Sequence, residues 1–176
     1  MKTQYRRILL KLSGEVMMGE MDYGVDVSYM KQFAQKLIDV QKATGVQIAV
    51  EVGGGNIYRW RSAQEGIKRN TADMMGMLGS VMTALNFRDV ISEIGEVEAF
   101  SPIYMPFVIP YFTPKDAEKA LEDGKIVIFG GGTSQQFFTT DSGAALHASQ
   151  LGVDAVFKGT NVDGVYSKDP NEHDDA

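Results

Sequence analysis

The stretch Lys125-Ile126-Val127-Ile128-Phe129-Gly130-Gly131-Gly132-Thr133-Ser134-Gln135-Gln136-Phe137-Phe138-Thr139-Thr140-Asp141 runs from an apolar segment through three glycines into a polar loop. Its first five residues read as a buried strand. Ser142-Gly143-Ala144-Ala145-Leu146-His147-Ala148 follows and reads as a helix that starts behind Thr140 or Asp141. Glycines let a backbone approach a ligand closely. A helix start presents unpaired N–H groups to an anion. Strand, glycine loop and helix in that order suit a phosphorylated small molecule.

The pattern occurs twice. Val46-Gln47-Ile48-Ala49-Val50-Glu51-Val52 reads as a strand and leads straight into Gly53-Gly54-Gly55-Asn56, with a helix expected over Ile57-Tyr58-Arg59-Trp60-Arg61. A turn needs one glycine, so three in succession point to something more than turn chemistry. Arg59 would stand one helical turn beyond them, either reaching a phosphate with its guanidinium fork or solvated on the surface. Ile8-Leu9-Leu10-Lys11-Leu12 reads as the first strand, and its apolar run suits a sheet covered on both faces. Ser13-Gly14-Glu15 reads as a tight turn. Lys11 is either a phosphate ligand or a lysine snorkelling out at a strand end.

Between these units the chain alternates. Gly19-Glu20-Met21-Asp22-Tyr23-Gly24 reads as an exposed loop. Asp26 or Ser28 caps a helix to about Thr44, stopped by Gly45, with Met30, Phe33, Ala34, Leu37, Ile38 and Val40 as its apolar stripe. Residues 71–90 carry the longest helical pattern, started by Thr71-Ala72-Asp73, with Met74, Met77, Leu78, Val81, Met82 and Leu85 as the stripe. Its methionines read as core or subunit interface. Gly76 and Gly79 would allow close packing against another helix. Asp73, from its position alone, reads as a helix-dipole acid. Residues 96–111, broken by Pro102, Pro106 and Pro110, read as a short strand, a loop and a second brief segment. Thr113-Pro114 opens a short helix that ends at Gly124. Asp154-Ala155-Val156-Phe157-Lys158 reads as a further strand, Asp163-Gly164 as a hairpin-type turn, and the tail from Asn171 to Ala176 as acidic and featureless. The alternation predicts one α/β domain, a three-layer sandwich around a mainly parallel sheet. Ligands in such sheets bind beyond the carboxyl ends of the strands. Lys11, both glycine loops and Lys158 fall there.

Composition narrows the function. The chain has 176 residues, a hydrophobic share of 44%, a charged share of 23% and a net charge of −6. That balance argues against a general nucleic-acid binder. It has no cysteine, which removes disulfides, thiol catalysis and cysteine-ligated zinc and suits the cytoplasm. No apolar run is long enough to span a membrane, and the apolar segment after Arg7 is too short for a secretory signal. The P-loop and dinucleotide fingerprints are both absent. His147 and His173 have no triad or metal spacing; His147 reads as structural or surface. What remains is two lysines, one arginine, two triple-glycine loops and a helix-start aspartate. Without an obvious nucleophile, that set fits phosphoryl transfer, where catalysis is positioning and charge stabilisation.

Four motifs, in order, resemble those of bacterial uridylate kinases of the amino-acid-kinase superfamily. They are Lys11-Leu12-Ser13-Gly14-Glu15, then Gly53-Gly54-Gly55-Asn56 with Arg59, then Phe137-Phe138-Thr139-Thr140-Asp141-Ser142, then Lys158-Gly159-Thr160-Asn161-Val162-Asp163-Gly164-Val165-Tyr166. The resemblance implies transfer of the ATP γ-phosphoryl group to UMP, giving UDP and ADP. It implies that Lys11 and Lys158 stabilise the moving group and that Asp141 organises them. It assigns ATP to Lys11, Leu12, Ser13, Gly14, Gly55, Arg59, Thr160, Asn161, Tyr166 and Asp169. It assigns UMP to Gly54, Arg59 and Asp73, the last on the ribose, and to Thr133, Ser134, Gln135, Gln136, Phe137, Phe138, Thr139 and Thr140. The loop Gly19, Glu20, Met21, Asp22, Tyr23 and Gly24 matches one linked to GTP activation in many members. Further implications are Mg²⁺ carried on ATP, with no metal held by protein side chains alone, inhibition by UTP and a homohexamer.

Two departures stand out. Ser134-Gln135-Gln136 replaces a Gly-Asn-Pro type of sequence. Family members also continue well past Asp169-Pro170, so the fold is expected to lack its C-terminal part. Two rival functions remain open at this level. One is a kinase of the same superfamily with a different acceptor. The other is a nucleotide-binding storage or regulatory protein without turnover.

Overall fold

A computed structural model describes residues 4–59, 66–159, 164–168, 170 and 173. Among them, five parallel strands form one sheet in the order β3-β4-β2-β1-β5. The strands are β1 (Arg7–Leu12), β2 (Gln47–Val52), β3 (Val97–Phe100), β4 (Ile126–Phe129) and β5 (Ala155–Lys158). The helices are α1 (Val27–Thr44), α2 (Arg69–Ser92), α3 (Pro114–Glu122) and α4 (Thr140–Leu151). No helix among the described residues is long and apolar enough to cross a membrane.

Strand side chains alternate between faces, and the core divides accordingly. Ile48, Val50 and Val52 of β2 and Ile126 and Ile128 of β4 pack with Met30, Ala34, Val81 and Phe87 of α1 and α2. Leu9, Ala49, Val127 and Phe129 point the other way, onto Ala117, Leu121, Ala144, Ala148 and Leu151 of α3 and α4. Both faces are therefore covered, which is why β2 and β4 are almost unbrokenly apolar. This is the expected three-layer sandwich.

Local signals explain most boundaries. Asp26 caps α1 by accepting from the Tyr29 N–H, and Gly45 ends it at φ 72°. Thr113 caps α3 in front of Pro114. α4 starts at Thr140, one or two residues earlier than expected, because Thr139 is the cap that accepts from the Ser142 N–H.

Four details differ from the sequence reading. Ser13-Gly14-Glu15 is not a simple turn: Ser13 caps a 3₁₀ segment, Gly14–Met18. Residues 57–59 are turn and loop rather than helix, and Trp60 and Arg61 lie outside the described residues. Val40 is exposed on α1. On α2 the buried face is Ala72, Gly79, Ser80, Val81, Thr83, Ala84, Phe87, Val90 and Ile91, while Leu78 and Met82 are exposed. Small and hydroxyl side chains take the inward face because a glycine loop, not a second helix, lies against that part of α2. A Cβ on Gly54 would collide with the backbone of Gly76 and Ser80 and come within 2.9 Å of Gly79. Asp163 of the expected hairpin turn is outside the described residues.

Candidate active site

The carboxyl ends of β1, β2, β4 and β5 converge with the start of α4. Lys11 of β1 is the register partner of Lys158 on β5 and of Glu51 on β2. Partners in register project to the same face, here the one covered by α4. Asp141, in the first turn of α4, stands between the lysines: its Oδ1 is 2.8 Å from Lys11 Nζ and its Oδ2 is 2.8 Å from Lys158 Nζ. The Lys11 side chain is only 12% exposed, so it is a committed partner of Asp141 rather than a snorkelling lysine. Burial pushes the Asp141 carboxyl up, but the two ammonium groups outweigh it and hold the carboxyl below its usual range. Asp141 is thus an anion placed between two lysine ammonium groups, with one oxygen aimed at each.

Beside this triad lies a cavity of about 540 Å³, lined by Lys11, Glu15, Gly54, Gly55, Tyr58, Arg59, Asp73, Ser80, Gly132, Thr133, Gln135, Phe138, Thr139 and Thr140, among others. The first glycine loop forms one wall. Its Asn56 is buried and tied on both sides: Nδ2 donates to Gly24 O at 3.0 Å, and Oδ1 accepts from Thr83 Oγ1 at 3.1 Å. Asn56 therefore connects the Gly19–Gly24 turn to the cradle and to α2. Arg59 donates from Nε to Gly55 O at 3.0 Å and pairs with Glu15. The second glycine loop is anchored by Ser80, whose hydroxyl accepts from the Gly131 N–H at 2.7 Å. Gly131 has φ 102°, a conformation that L side chains rarely adopt.

Asp73 reaches across to that loop. Its Oδ2 accepts from the Phe137 N–H at 2.8 Å, and its Oδ1 pairs with Arg69 Nε at 2.7 Å. The Arg69 guanidinium also sits 5.7 Å from the centre of the Phe137 ring. Asp73 is therefore a tether for the 133–139 loop and not a helix-dipole acid: α2 starts at Arg69, two residues before the expected Thr71, and has no acid in its first turn.

The expected site residues divide as follows. Lys11, Gly54, Gly55, Arg59, Asp73, Thr133, Gln135, Phe138, Thr139 and Thr140 share the cavity, with Asp141 and Lys158 beside it through Lys11. Leu12 is 2% exposed and belongs to the core, so its side chain is not available to a nucleotide. Ser13 spends its hydroxyl on the cap, and Gly14 packs against Gly53 and Asn56. Ser134, Gln136 and Phe137 are absent from the cavity lining; Phe137 is largely exposed, and Ser134 and Phe137 have φ of 60° and 68°. Tyr166 is partly exposed. Thr160, Asn161 and Asp169 lie outside the described residues.

The sequence reading passed over Glu15, Tyr58, Arg69, Ser80 and, above all, Glu51, while of the two alternatives for His147 the structural one holds. An acid inside the apolar strand Gln47–Val52 was itself a signal, since a charge in a sheet buried on both faces needs a partner. That partner is His147, buried in α4 rather than at the surface, with Nδ1 2.7 Å from Glu51 Oε2.

The profile of the amino acid kinase family matches residues 6–176. The chain is 48% identical over 174 residues to a uridylate kinase of Xanthomonas campestris pv. campestris, covering 98% of this chain and 72% of that protein. It is 46% identical over 178 residues to a uridylate kinase of Chelativorans sp., again covering 72% of the relative. Its fold superposes on a UMP kinase from Bacillus anthracis with a TM-score of 0.89 at 32% identity, covering 98% of this chain and 72% of that one. A UMP kinase from Ureaplasma parvum gives 0.88 at 28% identity. Sheet order, paired glycine loops and these matches agree: the chain belongs to the amino acid kinase family.

Proposed function

We propose that this protein transfers the γ-phosphoryl group of ATP to UMP, giving UDP and ADP for pyrimidine nucleotide synthesis. The observation that carries this reading is the Asp141 carboxylate bridging Lys11 and Lys158 beside a glycine-walled cavity. Phosphoryl transfer asks a protein for positioning and for cationic groups around the moving charge. In this reading Lys11 and Lys158 neutralise the transferring group from two sides, and Asp141 fixes their spacing. Gly54 and Arg59 take the UMP phosphate, Asp73 the ribose, and residues 133–140 the base. Gly14, Gly55, Thr160, Asn161, Tyr166 and Asp169 serve ATP. Arg59 meets Glu15 through Nη2, so a phosphate would either share the guanidinium fork with Glu15 or displace it.

Mg²⁺ would enter on the ATP phosphates and neutralise charge on their oxygens. Both oxygens of Asp141 are engaged by lysines, and no cluster of three or more His, Cys, Asp or Glu suited to a metal stands among the described residues. The ion's ligands would then be phosphate oxygens and water. The exposed turn at 19–24, joined to the cradle through Asn56, supports activation by GTP there, with UTP as the opposing inhibitor. Met75, Leu78 and Met82, exposed on α2, support assembly into a homohexamer. Such an enzyme would work in the cytoplasm, beside its substrates.

The test is a coupled assay of ADP release with ATP and Mg²⁺, run with UMP, CMP, carbamate, acetylglutamate or no acceptor. ADP release that depends on UMP and exceeds that with every other acceptor is the expected result. Release independent of UMP, or faster with another acceptor, would overturn the proposal.

A further inference from the structure

Glu51 has no part in the chemistry above, yet it is fully buried two residues before the first glycine loop. From β1, Lys11 is its register partner. From α4, His147 lies at 2.7 Å and is itself 1% exposed. His147 is fixed by the rings of Phe112 and Phe129, with centres 4.7 and 4.5 Å away. The other carboxylate oxygen, Oε1, is buried without a hydrogen-bond partner. A Cβ on Gly143 would stand 3.3 Å from that oxygen and 3.0 Å from Gly132 Cα. Glu51 therefore sits beneath the point where the second glycine loop meets α4.

A buried carboxylate with one oxygen unpaired is a poor way to fill a core, and an apolar side chain would be cheaper there. Its placement gives it a use. Asp141 and His147 are six residues apart on α4, about 9 Å along the axis. α4 is tied to the sheet at Asp141, which holds Lys11 of β1 and Lys158 of β5, at His147, which holds Glu51 of β2, and at the Leu151 carbonyl, which accepts from Arg7 Nη1 of β1. Of the two ties beyond Asp141, the His147–Glu51 contact is the nearer to it, and it joins α4 to β2.

We propose that Glu51, gripped by His147, is a positioning residue for phosphoryl transfer: it locks α4 against β2 and so sets where Asp141 holds Lys11 and Lys158. The inference rests on the proposed kinase activity. The titratable groups facing Glu51 are Lys11 from β1 and His147 from α4, while β4 presents the Phe129 ring. Burial pushes the Glu51 carboxyl up, with His147 and Lys11 pulling against it.

The experiment compares the unmodified protein with Glu51→Gln and with the paired variant Glu51→Leu, His147→Leu, which removes both partners at once and leaves no orphaned charge. Turnover and backbone amide exchange are measured on each. The expected result is a kcat lowered at least about tenfold with KM for UMP and ATP within about twofold. Exchange of the Ala144 and Ala145 amides should be about tenfold faster, with α1 unchanged. A folded paired variant with kcat within about twofold of the unmodified protein, or a loss shared equally between kcat and KM, overturns the inference. If the paired variant does not fold, Glu51→Gln decides by the same readouts. If the unmodified protein makes no UDP, the kinase reading fails and amide exchange alone decides: faster exchange at the start of α4 supports the lock, and unchanged exchange refutes it.

Discussion

Lys11 and Lys158 are register partners on adjacent parallel strands, so two ammonium groups reach one carboxylate from neighbouring backbone positions. Two like charges placed side by side repel unless an anion lies between them. α4 delivers that anion from the opposite layer. Sheet pairing sets the spacing of the lysines, and the capped start of α4 sets the height of Asp141 above them.

The two central glycines of the first loop should respond differently to a methyl group. Gly54→Ala drives a Cβ into the α2 backbone, and such overpacking should destabilise the protein by about 3 kcal/mol. At Gly55 the nearest atom to a new Cβ is 3.7 Å away, and stability should change by less than about 1 kcal/mol. Gly55 lines the cavity, so its methyl should lower turnover instead. Urea unfolding and steady-state kinetics on both variants separate the effects. Equal destabilisation would show that Gly54 is not pressed against α2.

Asp73→Ala should release the 133–139 loop. Phe137 sits at φ 68°, a strained conformation for a side chain of its size. Its N–H is held by a carboxylate, a bond worth about 1.5–3 kcal/mol. Chymotrypsin should then cut after Phe137 or Phe138 at least about tenfold faster, with global stability little changed. Equal cleavage rates would mean that Asp73 does not secure the loop.

Asp154 gives a pH signature. Its carboxylate accepts from the backbone N–H of Arg6 at 2.6 Å and of Arg7 at 2.9 Å, and these bonds hold it below the usual range. A carboxyl lowered in the folded state stabilises above its unfolded value, about 3.9 for Asp, and the contribution is lost as pH falls through the folded value. The urea midpoint of Asp154→Asn should therefore lie below that of the unmodified protein at pH 6, and the gap should close as pH drops below about 4. A gap independent of pH would refute the clamp.

The layers were legible because strands and helices differ in period and because Asp26, Thr113 and Gly45 are strong boundary signals. Lys11, Lys158 and both glycine loops could be placed together from the rule that parallel sheets bind ligands at strand ends. The buried face of α2 could not. Its methionines invite an apolar stripe, yet a glycine loop lies on Gly76, Gly79 and Ser80, and only three-dimensional packing shows that small residues belong inside. The helix expected after Gly55 gave way to a turn closed by Ile57 and Tyr58 N–H groups on Gly54 O. Asp73 read as a dipole acid because its partner Phe137 is 64 residues away. His147 lacked a role because Glu51 is 96 residues away and reaches it only once the sheet has formed.

The central claim is that Lys158 serves the moving phosphoryl group and not the standing substrate. It is tested most directly by measuring kcat and UMP affinity on Lys158→Ala. The account predicts a kcat lowered by about 10²–10³-fold with the Kd for UMP changed by less than about threefold. A kcat within about threefold of the unmodified protein, or a loss of UMP affinity as large as the loss of turnover, would contradict it.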